Sequence, residues 1–511
     1  MQAATPNRIA VPYRPEMIQL FPDFERTGPD SGLVPHDPAS TAILRNMGLD
    51  VPSAVLCHYD FPHPPDKVPF EAQRQTTVLL TENMRAYVLN GLGTGKTACI
   101  LWAYHYLRSL GMVRKMLVVA PLSSLRETWM RHVFEFLGQR IVATVLHGDR
   151  DFRLRELARP EVDVFVINPA GMKVIQKALD LRDDIDVLAI DELATYRNKS
   201  KRSRAMRTYA HRVKWVWGAT GAPIPHAPTD VWEQAQIVTP WTVPKYFTHF
   251  RDELMFRVNQ FKYKPKLGSK EKAYAALQPS VRYTLDDVTE LPPYVSRRIE
   301  VPLGPLQERV YKAIKNEAFS MIEQNIVTAA NAGVVLNKLL QISLGYVYDD
   351  KHRTIPLDNQ QRLDAMLDIV EGHDGKAIVF TTFIHSLQGL SAALKSRDIE
   401  HAVVSGATPI RQRDKIFSDF QHTDRPPVLL AHPACMAHSL TLTRASLVLW
   451  FGPVPDLELY DQANARIRRV GQRQRQLFAH LQSTAQERNL YQQLIERQSY
   501  QLDLLAMFAE R

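Results

Sequence analysis

The run "AYVLNGLGTGKTACILWAY", residues 86–104, constrains the fold of this chain more than any other stretch. It reads as an apolar strand, a glycine-rich loop and a helix in immediate succession. A loop of this kind brings backbone N–H groups up to a phosphate at a helix N-terminus. Gly91, Gly93 and Gly95 give the loop its close approach, with Thr94 between the last two. Lys96 is placed for the β- and γ-phosphates, and Thr97 for Mg²⁺. The strict pattern wants glycine where Asn90 stands. The bland alternative is a glycine-rich turn before a solvated lysine, and the strand–loop–helix setting speaks against it.

A phosphate loop of this type calls for an acidic pair at the end of another strand. "DVLAIDELA" supplies Asp191 and Glu192 behind four apolar residues. Asp191 would hold the Mg²⁺ shell, and Glu192 would orient and activate the attacking water. The surrounding pattern agrees. From 67 to 228, short apolar runs alternate with amphipathic stretches: "AYVLN", "MLVVA", "IVATVLH", "VDVFVINP", "DVLAIDE" and "KWVWGAT". That is the pattern of a parallel sheet covered by helices. From 356 to 511 it returns in "KAIVFTTF", "HAVVSG", "PVLLAHP" and "SLVLWFG", and ends in a helical stretch from 485. Between them, residues 229–355 are mostly helical in pattern. Residues 1–66 are rich in proline and loop residues, with one short helix in "PASTAILRNMGL". The expectation is an α/β protein of two lobes, a helical insertion and a small N-terminal accessory region.

"QANARIRRVGQ", residues 462–472, raises a separate question. On a helix, Gln462, Arg466 and Arg469 form one stripe, and Ala463, Ile467 and Val470 a second, apolar one. Arg468 would face water. Arginines beside a packing face need an anionic partner, either nucleic acid or nucleotide. P-loop ATPases commonly complete the γ-phosphate site with an arginine from another domain. Arg466 and Arg469 suit that role, with Gln462 sensing the nucleotide or placing water.

Composition narrows the remaining choices. A chain of 511 residues exceeds one core. Its net charge of +9 favours an anionic partner weakly. Cys57, Cys99 and Cys435 are far apart, so zinc and disulfide frameworks are not expected. Neither a signal pattern nor a membrane-length apolar run is legible.

In order along the chain, these motifs resemble the Swi/Snf-type ATPases of helicase superfamily two, most of all the short versions carried by bacteriophages. "PFEAQRQ" is similar to the adenine-reading glutamine motif, with Gln73 as its glutamine. "NGLGTGKT" occupies motif I, "VVAPLSSLRETWMRHV" motif Ia with the downstream Trp129, "DELATYRNKS" motif II and "GATGAPIP" motif III. "IVFTTF" resembles motif IV and "SGATPIRQRDKIFSDF" the motif after it. "HPACMAHSLTLTRA" resembles motif V, and "QANARIRRVGQ" motif VI. Ala194 stands where the family commonly has histidine, and Ser439 and Thr441 where it has glycine and asparagine.

The resemblance implies two tandem RecA-like P-loop lobes with a C-terminal bracing helix. ATP and Mg²⁺ would be the cofactors, and movement along double-stranded DNA the activity. Strand separation on forked or branched DNA is the alternative, and an ATP-switched subunit recruiting a nuclease or replication partner a third. It implies phosphate contacts from Ser123, Ser124, Arg126 and Asn168 in the first lobe. In the second they would come from Thr381, Thr382, Ser405, Thr408, Arg413 and His438. Basic runs at 197–214 and 261–272 would add to that surface or form solvated faces. Duplex or branched DNA, phage or host replication and recombination proteins, no membrane, and the cytoplasm of a bacterial host complete the expectation.

Overall fold

A computed structural model describes residues 7–224, 227–258, 263–323, 329–348, 354–436 and 440–506. The chain divides into two compact units between Val288 and Thr289.

The first unit is built on a seven-stranded parallel sheet. Its strands are β1 (Arg85–Val88), β2 (Lys115–Val119), β3 (Ala143–Val145), β4 (Val164–Ile167), β5 (Ile185–Asp191), β6 (Trp215–Ala219) and β7 (Ser280–Val281). Their order across the sheet is β7-β1-β6-β5-β2-β4-β3. All six expected apolar runs are strands. Helix α1 (Glu71–Glu82) and helix α2 (Lys96–Ser109) cover one face, burying Leu80, Trp102 and Tyr106 with Trp129 and Trp217. The 7–66 region carries a small antiparallel sheet (Arg8–Pro12, Glu25–Arg26, Ser31–Pro35) where the sequence pattern reads as loop. Its own core of Val11, Met17, Phe21, Val34, Leu44 and Val51 is small, so periodicity in it is weak.

The second unit has six parallel strands. They are β8 (Tyr294–Glu300), β9 (Lys376–Phe380), β10 (His401–Val404), β11 (Val428–Ala431), β12 (Ala445–Trp450) and β13 (Gln476–Gln482), ordered β8-β13-β12-β9-β11-β10. The four expected runs are β9 to β12. The 229–355 stretch contributes to both units: helix α3 (Val231–Val238), the hairpin Met255–Arg257 with Tyr263–Pro265, and β7 lie in the first unit. β8 and the helices Pro305–Glu323 and Ala329–Ser343 lie in the second. The segment thus supplies an edge strand to each of the two sheets.

β13 was missed because it buries polar residues: Gln476, His480 and Gln482. His480 is 3% exposed; its Nδ1 lies 3.3 Å from the Arg297 carbonyl and its Nε2 2.7 Å from the Tyr460 hydroxyl. The neutral ring with Nδ1–H donating satisfies both. Burial pushes its pKa down to about 4, below the ordinary 6.5. A depressed folded pKa gives stability that is present above about 6.5 and lost as pH falls through about 4. Asp461 nearby in sequence is pushed up to about 7 by burial and by Glu458, which gives the opposite slope. The test therefore compares the parent with His480→Gln by urea denaturation. The parent's stability relative to the variant should fall by about 3 kcal/mol from pH 7 to pH 4.

Candidate nucleotide site

The carboxyl edge of a parallel sheet is where such folds place their chemistry. In the first unit that edge gathers five strand ends. β1 runs into the glycine-rich loop, β5 ends at Asp191, β6 leads to Thr220, β2 to Ser123 and Ser124, and β4 to Asn168.

The loop is held from several sides. Gly93 and Gly95 have φ of 83° and 84°, the left-handed region that favours glycine. A Cβ on Gly95 would also lie 2.2 Å from Gln73 Nε2. Gln73 is buried, donates from Nε2 to the Thr94 carbonyl at 3.0 Å and accepts from Phe70 N at 3.1 Å. The expected adenine reader is thus placed as a brace under the loop. Thr94 is buried, with its hydroxyl on the Gly91 carbonyl at 2.8 Å.

Asn90, the departure from the strict pattern, has a clear local reason. Its side chain is buried, accepts from Tyr283 N at 2.9 Å and donates to Thr76 Oγ1 at 2.8 Å. It ties α1 to the segment following β7. Three more bonds join that segment to the loop: Leu89 N to Val281 O, Gly91 N to Tyr283 O, and Arg282 Nη1 to Leu89 O, each at 2.8 Å. Glycine would leave these groups without the Asn90 partner. Sequence reading missed Arg282, which is buried here with its pKa pushed down to about 10 by that burial. Its only sequence signal is an arginine in a short polar stretch.

Lys96 opens α2, and its Nζ donates to the carbonyls of Asn90 and Gly91 at 2.9 and 3.0 Å. Burial lowers its pKa, while Glu192 and then Asp191 pull it upward. Thr97 follows in the first turn of α2. Glu192 adopts φ 53° and ψ 55°, a left-handed conformation uncommon for a side-chain-bearing residue, of the kind concentrated at functional sites. Thr97 hydroxyl and Asp191 carboxylate are hard oxygen donors that suit Mg²⁺, which retains waters and binds phosphate oxygens besides. Among the described residues, no cluster of three or more His, Cys, Asp or Glu forms another metal site.

Of the expected phosphate contacts in the first unit, Ser123 and Arg126 are exposed. Ser124 is buried with its hydroxyl on the Pro121 carbonyl at 2.9 Å, so it closes a turn and faces away from solvent. Asn168 immediately precedes the helix Pro169–Asp180, and its side chain accepts from Arg153 Nη1 at 3.5 Å rather than from the helix N-terminus.

In the second unit, Gln462 lies on helix α4 (Leu457–Asn464) and donates to Glu458 at 3.2 Å. The helix stops at Asn464, so the expected arginine stripe is not helical. Arg466 and Arg469 lie in turns, because the Arg466 carbonyl accepts from Leu442 N at 2.9 Å. Arg466 is 6% exposed, and Arg469 Nη1 donates to the Leu440 carbonyl at 2.8 Å. Both arginines are thereby fixed to the Leu440–Leu442 loop. Ala463 and Ile467 are buried as expected, whereas Val470 is exposed. Arg468, expected in water, is half-buried and its guanidinium stacks 4.6 Å from the centre of the Tyr294 ring.

Thr381 is buried and is no surface contact; Thr382 is half-buried. Ser405, Thr408 and Arg413 form a local knot: Ser405 N donates to Thr408 Oγ1 at 3.0 Å, and Arg413 Nη2 to the carbonyls of both at 3.3 and 3.2 Å. His438 lies outside the described residues.

Residues 80–346 match the SNF2-related domain and 360–471 the Helicase conserved C-terminal domain. The chain belongs to the SNF2 family. This SNF2-family chain is a helicase-like ATPase. It is 26% identical over 407 residues to protein p41 of Acyrthosiphon pisum secondary endosymbiont phage 1, covering 76% of this chain and 86% of that one. It is 24% identical over 410 residues to an uncharacterized ATP-dependent helicase of Mycoplasma pneumoniae, covering 77% of this chain and only 38% of that protein's length. Among solved structures, the Sulfolobus solfataricus SWI2/SNF2 ATPase core in complex with dsDNA is 20% identical, with a TM-score of 0.42 over 87% of this chain and 94% of that one. Among the described residues no helix is long and apolar enough to cross a membrane.

Proposed function

We propose that this SNF2-family ATPase couples ATP hydrolysis to movement along double-stranded DNA and so remodels DNA or complexes bound to it. The observation that carries this reading is the division of chemistry. The first unit holds the phosphate loop, Lys96, Thr97 and the Asp191–Glu192 pair. The second holds Arg466 and Arg469, fixed to the Leu440–Leu442 loop. In this reading Thr97 and Asp191 hold Mg²⁺, and Glu192 activates water. Arg466 and Arg469 supply positive charge for the γ-phosphate in the transition state. Exposed Ser123 and Arg126, the half-buried Thr382, and the exposed Lys201, Arg202, Arg204 and Lys214 suit a phosphate backbone, which is held without reading bases. Branched DNA and phage or host replication and recombination proteins are partners of the same reading, within a bacterial cytoplasm.

ATP turnover should rise at least about tenfold with duplex DNA, and the stimulation should fall steeply with salt. Parallel assays with single-stranded DNA, forked DNA and RNA complete the test. Release of a labelled strand would replace the translocase by an unwinding helicase. Turnover indifferent to every nucleic acid would replace it by an ATP-switched recruitment subunit.

A further inference from the structure

Trp129 touches the acidic pair from within the core. It is 0% exposed, and its indole Nε1–H donates to Asp191 Oδ2 at 2.9 Å. The other oxygen, Oδ1, accepts from Glu192 N at 3.1 Å. Each carboxylate oxygen therefore carries one fixed hydrogen bond, and the plane of the group is set. An indole nitrogen is a donor only, so this contact always presents a proton to the carboxylate and never competes for a cation. Each oxygen keeps lone-pair capacity for a metal ion or its waters.

Trp129 also has an unusual position in the chain. It lies in Leu125–Met130, a π-helical turn, and a second π-helical stretch, Val133–Leu137, follows. Such wide turns are rare and concentrate at functional sites. The turn begins directly after the β2 loop that exposes Leu122 and Ser123, and Arg126 on its first coil is exposed as well. One short rigid segment thus has its outer end at the surface and its inner end on Asp191.

We propose that Trp129 is a positioning residue for ATP hydrolysis: its indole N–H sets the Asp191 carboxylate for Mg²⁺ and joins that carboxylate to the surface loop 121–126. This rests on the nucleotide-site reading given under Proposed function. A displacement of the loop turns the ring, and a turned ring releases one oxygen of the metal ligand.

Trp129→Phe keeps an aromatic ring in the core and removes only the donor and part of the volume. Binding of a fluorescent ADP analogue is measured with and without Mg²⁺. Without Mg²⁺ the variant should match the parent within about twofold. With it, the Mg²⁺ concentration for half-maximal effect should rise about tenfold, the scale on which outer partners of metal ligands act. Maximal turnover should fall while the Michaelis constant for ATP measured at saturating Mg²⁺ stays near the parent's. Trp129→His, which restores a ring N–H, should recover part of the Mg²⁺ response and serves as the deciding variant if the phenylalanine form does not fold. In the ¹⁵N-labelled parent, one of the indole N–H signals should shift when Mg²⁺ is added to the ADP complex. An unchanged Mg²⁺ response in the folded phenylalanine variant would overturn the assignment, as would a histidine variant no better than a folded Trp129→Ala. A parent that binds no Mg²⁺–nucleotide at all would instead overturn the nucleotide-site reading itself.

Discussion

Lys96→Ala should lower ATP turnover by at least about a thousandfold, with the fold intact by circular dichroism. The size follows from electrostatics. Lys96 is the cation that Glu192 and Asp191 both act on within the phosphate loop. A fixed charge aimed at developing negative charge in a water-poor site commonly contributes about 4 kcal/mol, which is about three orders of magnitude in rate. Alanine also removes the two bonds by which Nζ draws the Asn90 and Gly91 carbonyls together. Arg466→Ala and Arg469→Ala belong to the same experiment. Each should abolish turnover while leaving duplex DNA binding within about threefold of the parent. Retained basal turnover together with lost DNA binding would return these two arginines to the DNA surface. Arg469→Ala also frees the Leu440 carbonyl, so its thermal stability is measured alongside.

Arg362→Met should destabilise the second unit by about 3–5 kcal/mol, read as a lower urea midpoint. Arg362 and Glu487 form an ion pair at 2.7 Å with side chains 2% and 0% exposed. The guanidinium also donates to the carbonyls of Ser343 at 2.8 Å and Leu481 at 2.9 Å. Glu487 Oε2 meanwhile accepts from Ser483 N and Thr484 N at 2.7 and 3.0 Å, and Thr484 Oγ1 accepts from Glu487 N at 3.2 Å. This reciprocal cap starts the terminal helix Ala485–Ala506. Methionine fills the space but leaves a buried carboxylate without its cation. The double variant with Glu487→Gln should recover at least about half of the loss, because the uncompensated charge is gone while the cap remains. A single variant within about 1 kcal/mol of the parent would show that water reaches Glu487 and that the pair is not sealed.

Sequence alone made the phosphate loop, the acidic pair and ten central strands legible, because each rests on local pattern. Glycines permit a φ that other residues avoid, and strands buried on both faces read as unbroken apolar runs. What stayed hidden depends on distant segments. β7 is two residues long, and β8 is an exposed, polar edge strand with no apolar alternation. β13 hides glutamines and a histidine whose partners come from other elements. Helical spacing suggested a stripe through Arg469, but Leu442 N takes the Arg466 carbonyl and the turns that follow override the period. Ser124 and Thr381 looked like loop-tip hydroxyls because polarity in sequence does not distinguish a turn-closing residue from an exposed one. The Trp129 indole bond could not be read, since a tryptophan in an apolar pattern is first of all a core residue.

The strap after β7 also bears on how the protein is made. Arg282 grips Leu89 across 193 positions of sequence, and Tyr283 holds Asn90 across the same distance. During synthesis, β1 and its loop leave the ribosome long before these partners exist. A nascent chain stopped before residue 280 would carry every glycine of the loop and its lysine, yet would lack the edge strand and four of the bonds that pin them. Nucleotide affinity should therefore arrive late in translation, as a step near the emergence of residues 280–285, and stalled chains of increasing length would record when it does.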